Sequence, residues 1–102
     1  MKEKILKFEK SKVKGKKYTA FIKNKKTKKI RKIHFGALDY SQYKDRTPLK
    51  LYAYKNHKTR RRMQNYYSRH SGKKNRNEAI KLEKNKANGY YNAKILSHIY
   101  LW

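Results

Sequence analysis

A chain of 102 residues with 31 Lys and Arg against 6 Asp and Glu, net +25, forms one small domain with a thin core and calls for a polyanion or counterions to screen its self-repulsion. The absence of Cys excludes disulfides and thiolate metal ligands and fits an intracellular site of synthesis. No stretch approaches ~18 apolar residues, no apolar run follows Met1-Lys2-Glu3-Lys4, and there is no lipidation site or Trp/Phe/Leu-rich amphipathic face, so no membrane partner is expected.

From Lys2 to Ala37 the pattern predicts strands. Ile5, Leu6 and Phe8 form a short apolar run, Lys14-Gly15-Lys16 marks a turn, and Tyr18-Thr19-Ala20-Phe21-Ile22 is rich in β-branched and aromatic residues. After the polar connection Asn24–Lys29, Ile30, Lys32 and His34 alternate with Arg31, Ile33 and Phe35, and Gly36 closes the strand. A three-stranded antiparallel meander follows. Its fifteen Lys and Arg serve either as a solvated face and protected edge or as direct nucleic-acid contacts.

The chain then turns helical. Asp39 can cap a short turn through Tyr43, and Thr47-Pro48 reads as a helix start, with Leu49, Tyr52 and Ala53 at helical spacing over Pro48–Lys55. The central segment is Asn56–Gly72, a helix of roughly four turns with Asn56 as N-cap and Gly72 as its stop. Thr59, Met63, Tyr66, Tyr67 and His70 fall on one face for packing; Lys58, Arg62 and Arg69 share a neighbouring face, with Arg61 further round. A third helix is expected over Glu78–Ala87, stopped by Asn88-Gly89. The apolar run Tyr90–Trp102, with Asn92 as a cap and Ile95, Leu96 and Ile99 on one face, should fold back onto the sheet.

No Asp or Glu occurs between Asp45 and Glu78, whereas eleven Lys and Arg do. Nothing local neutralises them. Lys58, Arg60, Arg61, Arg62, Arg69, Lys73, Lys74 and Arg76 are therefore the expected nucleic-acid-binding residues, acting on phosphates without base readout.

The motifs His34-Phe35-Gly36, the stretch from Tyr40 through Asp45 and Pro48 to Tyr52, His57, Arg61-Arg62, Tyr66-Tyr67-Ser68-Arg69-His70 and Leu96-Ser97-His98-Ile99-Tyr100-Leu101-Trp102 stand in a specific order and spacing. In these the chain resembles a family of small basic proteins of unknown function encoded by large nucleocytoplasmic double-stranded DNA viruses, mimivirus-like and chlorovirus-like. The likeness covers roughly residues 17–102, and Gly72–Asn88 departs from it with extra Lys and Asn. The resemblance implies a viral setting and a virion component, and it implies no reaction.

Four His invite a metal or nuclease hypothesis, in which Asp45, His57 and His70 converge and Arg69 steadies a phosphate. His57 and His70 stand thirteen residues apart on one expected helix, about 20 Å along its axis, so they share a metal only if that helix breaks. The favoured alternative makes His34 and His70 hydrogen-bonded core or interface residues and sets His57 near a helix N-terminus. Tyr66-Tyr67 and Tyr90-Tyr91 are candidate stacking platforms, with core packing favoured for the first pair. No P-loop, dinucleotide fingerprint or zinc-finger spacing occurs, and no catalytic residue, metal or cofactor is expected.

The expected architecture is α+β, a small N-terminal antiparallel β-meander packed with three or four short helices. It forms a single basic domain over 1–102, with 1–16 as a flexible arm or edge hairpin and 72–78 as a mobile basic loop. The expected function is that of a non-enzymatic virion protein that binds or packages viral nucleic acid, DNA ahead of RNA, with capsid or other virion proteins as further partners. It would occupy the virion, and the host cytoplasm or nucleus during infection. The alternatives are a minor capsid protein on the inner face of a large viral shell and an RNA- or ribosome-associated protein.

Overall fold

The most β-favouring run of the chain, Tyr18–Ile22, becomes the middle of a sheet. In the computed structural model, which describes residues 1–102, β1 (Glu3–Lys10), β2 (Lys16–Asn24) and β3 (Ile30–Ala37) pair antiparallel in the order β1-β2-β3. The register sets Tyr18 opposite Phe35, Ala20 between Phe8 and Ile33, and Ile22 opposite Ile5, so the period-2 alternation delivers these apolar side chains to one face. The register slips between Ile5 and Lys7. This bulge lets Ile5 and Phe8 both reach the core face, while Leu6 points out, 44% exposed. On the opposite face Phe21 is covered by the ammonium groups of Lys7 and Lys32, at 4.6 and 5.3 Å from its ring centre.

Three α-helices complete the domain: α1 (Arg60–Ser71), α2 (Arg76–Lys86) and α3 (Ala93–Tyr100). Asn92 caps α3 by accepting from the Ile95 amide at 2.8 Å, and the helix buries Ile95, Leu96 and His98. Leu96 and Leu101 join Tyr18, Ala20, Ile22, Ile33, Phe35 and Tyr52 in the main core, so the C-terminal run does return to the sheet. Complete burial of a leucine contributes about 2 kcal/mol, a useful share for so small a core. A second cluster, Tyr66, Tyr67 and Ala79, joins α1 to α2, and Trp102 packs against both clusters.

The helix expected over Pro48–Lys55 does not form. Only a 3-10 turn, Ala53–Lys55, is present. Lys50 adopts φ +50°, and the amides of Leu51 and Tyr52 donate to the Tyr18 hydroxyl and the Asp45 carboxylate instead of to a helical ladder. The main helix likewise begins at Arg60 rather than Asn56. Lys58 takes φ +53°, the Asn56 carbonyl oxygen Oδ1 accepts from Gln42 Nε2 and the Asp45 amide, and Thr59 holds the N-cap position without a side-chain bond. Gly72 at φ +67° ends α1 as expected. Of the segment 72–78, residues 72–75 are irregular and the last three are helical: α2 starts at Arg76, capped by Asn75, which accepts from the Glu78 amide.

Side-chain hydrogen bonds hold the irregular segment 38–58. Asp45, 2% exposed, accepts from Tyr18 OH, the Thr47 amide and hydroxyl and the Tyr52 amide. Gln42 accepts from the buried Lys17 ammonium at 2.7 Å and donates to the Tyr52 carbonyl and to Asn56. Desolvation pushes the Lys17 pKa down to about 8. Glu3 is buried too: the Arg31 guanidinium grips it at 2.8 and 2.9 Å, the Tyr91 amide donates to it, and the arginine contact lowers its pKa. With Glu83 also buried, three of the six acidic side chains are withdrawn into the interior.

Candidate functional site

Helix α1 stands between two clefts, and both are lined by cations. On one side, Arg62, Asn65, Tyr66, Arg69 and His70 recur at helical spacing and face a cleft of about 830 Å³. Its other walls are the start of β2, the Gly36-Ala37 end of β3, Tyr40-Ser41 and α3 with its C-terminal tail. This volume lies within the range of ligand-binding clefts. Lys16, Lys17, Arg62, Arg69 and Lys94 supply its charge, and none of its 16 lining residues is acidic.

The floor is aromatic. Tyr66 and Trp102 stack face to face, ring centres 4.2 Å apart and planes within 4°. Tyr40 at the edge is 70% exposed. Arg62 Nη2 donates to Ser41 Oγ at 2.9 Å, tying α1 to the loop after β3. Lys94 Nζ donates to the His70 carbonyl at 3.2 Å and lies 3.7 Å from Glu83, which leaves Arg69 and Lys16 as the less restrained cations.

Gly36 fixes the depth of this cleft. It sits at φ +82°, and a Cβ there would come within 2.8 Å of Leu101 Cδ1 and 3.2 Å of Lys17 Cβ. The close approach lets Leu101 and Trp102 seat against β3.

The second cleft, about 390 Å³, is walled by Tyr43 and Arg46, the first turn of α1 with Gln64, and Lys74 to Asn77. The eight expected binding residues are thus divided. Arg62 and Arg69 line the larger cleft, Arg60, Lys74 and Arg76 the smaller, and the exposed Lys58, Arg61 and Lys73 line neither. Arg46, Lys16, Lys17 and Lys94 were missed. Arg46 belonged to the acid-free window but lies outside any helix, so helical spacing could not bring it forward.

The expected packing stripe holds for Tyr66, Tyr67 and Met63, whereas Thr59 and His70 are exposed and Ser71 is buried in their place. The histidines do not converge. His57 Nδ1 accepts from the Thr59 amide at 2.9 Å, ahead of α1. His34 Nδ1 lies 2.7 Å from Thr19 Oγ1 on the sheet, and His70 rests against the Tyr66 ring. No three His, Asp or Glu side chains are placed to share a metal ion.

His98, fully buried, is the centre of a polar relay. Ser71 donates to the Glu83 carboxylate at 3.1 Å, so its oxygen must accept from His98 Nε2–H at 2.8 Å. Nδ1 is then the acceptor for the Tyr66 hydroxyl at 2.9 Å. Tyr67 donates to the His98 carbonyl at 2.8 Å. Burial pushes the His98 pKa down to about 4, which keeps the imidazole neutral in this relay. The Tyr66 hydroxyl is thereby anchored, and its ring, 7% exposed, is held against Trp102 beneath the cleft.

No helix is long and apolar enough to cross a membrane. Comparison with known protein families, curated proteins and solved structures gives no match to this chain.

Proposed function

We propose that this chain is a non-enzymatic, strongly basic virion protein of a large nucleocytoplasmic DNA virus that binds or packages viral nucleic acid mainly through phosphate contacts. The larger cleft carries the binding half of this reading: a cationic rim and no carboxylate in the lining suit a phosphate backbone. Withdrawal of Glu3, Asp45 and Glu83 into the interior strengthens the outward field. The viral setting rests on the motif resemblance, as does the preference for DNA over RNA. No array of side chains suited to reading base edges stands out, so binding is expected to tolerate sequence changes.

Salt titration tests the reading. If six or more phosphates are contacted, affinity for duplex DNA falls by about three orders of magnitude between 50 and 200 mM salt. A nearly flat response refutes the phosphate model.

A second reading, a minor capsid protein on the inner face of the shell, is favoured by the segment Leu49–Tyr54. Leu49, Leu51 and Tyr54 are 42%, 44% and 76% exposed, an apolar surface suited to a protein neighbour. The C-terminal run is not available for that role, because Leu101 is spent in the core. Copurification with the shell instead of the genome after mild particle disruption would favour this second reading.

A further inference from the structure

We propose that the smaller cleft is a pocket for a single phosphate group, held chiefly by Arg46 and Arg76 on its inner wall and by Arg60 and Lys74 at its mouth. The inference is independent of duplex binding at the larger cleft. The occupant shares one chemistry whatever its source: an internal phosphodiester, a strand-terminal phosphate or free inorganic phosphate.

Three separate segments deliver four cations to one concavity of about 390 Å³, and none of its nine lining residues is acidic. The remaining walls are largely uncharged polar groups, Gln64, Asn75 and Asn77 among them. Surface arginines ordinarily fan into water. Arg46 and Arg76 do not: Arg46 lies over the Tyr43 ring at 5.6 Å, and Arg76 Nη2 donates to the Ile99 carbonyl at 2.7 Å. Their guanidinium groups are thus positioned before any ligand arrives.

They are also incompletely satisfied. Arg46 Nη1 and Arg76 Nε are shut off from solvent and have no acceptor in the protein. A buried cationic donor without an acceptor is costly, and two side by side without a carboxylate are more so. Burial, and then the charge of Arg76, push the Arg46 pKa down, as expected where two guanidinium groups crowd a site lacking an anion. An oxyanion seated in the cleft would supply the missing acceptor once a guanidinium turns toward it. Arginine's planar fork matches phosphate oxygens in pairs.

The backbone contributes in the same sense. α2 begins at the cleft with the Asn75 cap and Glu78 in its first turn, whereas α1 borders the cleft with neither an acidic residue in its first turn nor a side-chain cap. Its positive end is left uncompensated toward the same concavity.

Calorimetric titration with inorganic phosphate, at ionic strength held constant with chloride, tests the pocket. The wild type should show saturable one-to-one binding, and Arg46→Gln should weaken it at least tenfold. Should Arg46→Gln fail to fold, Lys74→Gln at the exposed mouth should weaken binding severalfold with an unchanged melting temperature. Lys86→Gln, at the far end of α2, should leave phosphate affinity within twofold. Phosphate heats that never saturate, or equal losses from Lys74→Gln and Lys86→Gln, would mean diffuse counterion binding and overturn the proposal. Hexathymidylate with and without a 5′-phosphate separates the sources: a tenfold preference for the phosphorylated strand assigns a terminal phosphate, equal binding that Lys74→Gln weakens as it weakens phosphate binding assigns the internal backbone, and hexamer binding that Lys74→Gln leaves unchanged assigns free inorganic phosphate. A steep salt dependence for duplex with no saturable phosphate site would remove this pocket and leave the nucleic-acid reading intact.

Discussion

Acidification should destabilise this protein above the range in which its carboxylates titrate, and His98 is the reason. Its imidazole is fully buried, with Nδ1 accepting from Tyr66 and Nε2–H donating to Ser71, an arrangement that holds only for the neutral ring. Desolvation lowers its pKa from the ordinary 6.5 to about 4. Between those values the unfolded chain takes up a proton that the folded chain refuses, so lowering the pH favours unfolding. At about 1.4 kcal/mol per pH unit the full gap is worth about 3 kcal/mol, and about 2 kcal/mol of it should be gone by pH 5. His57 and His70, whose pKa values burial also lowers, act in the same direction. Glu3 enters later: its arginine-lowered pKa contributes stability above the ordinary 4.5 that is lost only as pH falls below it. Denaturant midpoints at pH 7, 6 and 5, at fixed ionic strength, measure the slope, and the His98 ring proton resonances report its titration directly. Stability that is level from pH 7 to 5, or a His98 that titrates near 6.5, would refute the relay.

Asp45→Asn should destabilise the fold by about 3 kcal/mol or more, because every group facing that carboxylate is a donor and an amide nitrogen would oppose at least one of them; urea melts check it. Arg62→Ala combined with Arg69→Ala should keep the melting temperature within a few degrees, since both side chains are exposed, while reducing the salt slope of duplex binding by about 2. An unchanged slope would take the larger cleft out of the phosphate contact.

Much of the scaffold could be read from local pattern. The period-2 run around Tyr18, the glycine after Ser71 and the Asn92 cap each act through a few neighbouring residues, and these elements appear where local chemistry put them. The segment 38–58 could not be read this way. Its Pro48 start and helical spacing were genuine local signals, but the amides of Leu51 and Tyr52 are captured by Tyr18 and Asp45, partners set by tertiary contact. The charge window pointed to the right region for the cations of α1 and α2. It gave no hint that α1 would separate them into two clefts, or that Lys16 and Lys94 would reach the same rim from distant strands and helices.

The net charge of +25, in which the three sequestered carboxylates are counted, has a geometric counterpart in charge spacing. Duplex DNA carries one negative charge per ~1.7 Å of its axis, so 25 phosphates occupy about 42 Å. The long dimension of this molecule is 40 Å. A copy lying lengthwise would therefore cancel the charge of about as much duplex as it covers, roughly twelve base pairs, with little surplus of either sign. Copies laid end to end would turn a self-repelling polymer into a nearly neutral rod, and neutral rods can be stacked side by side at high density.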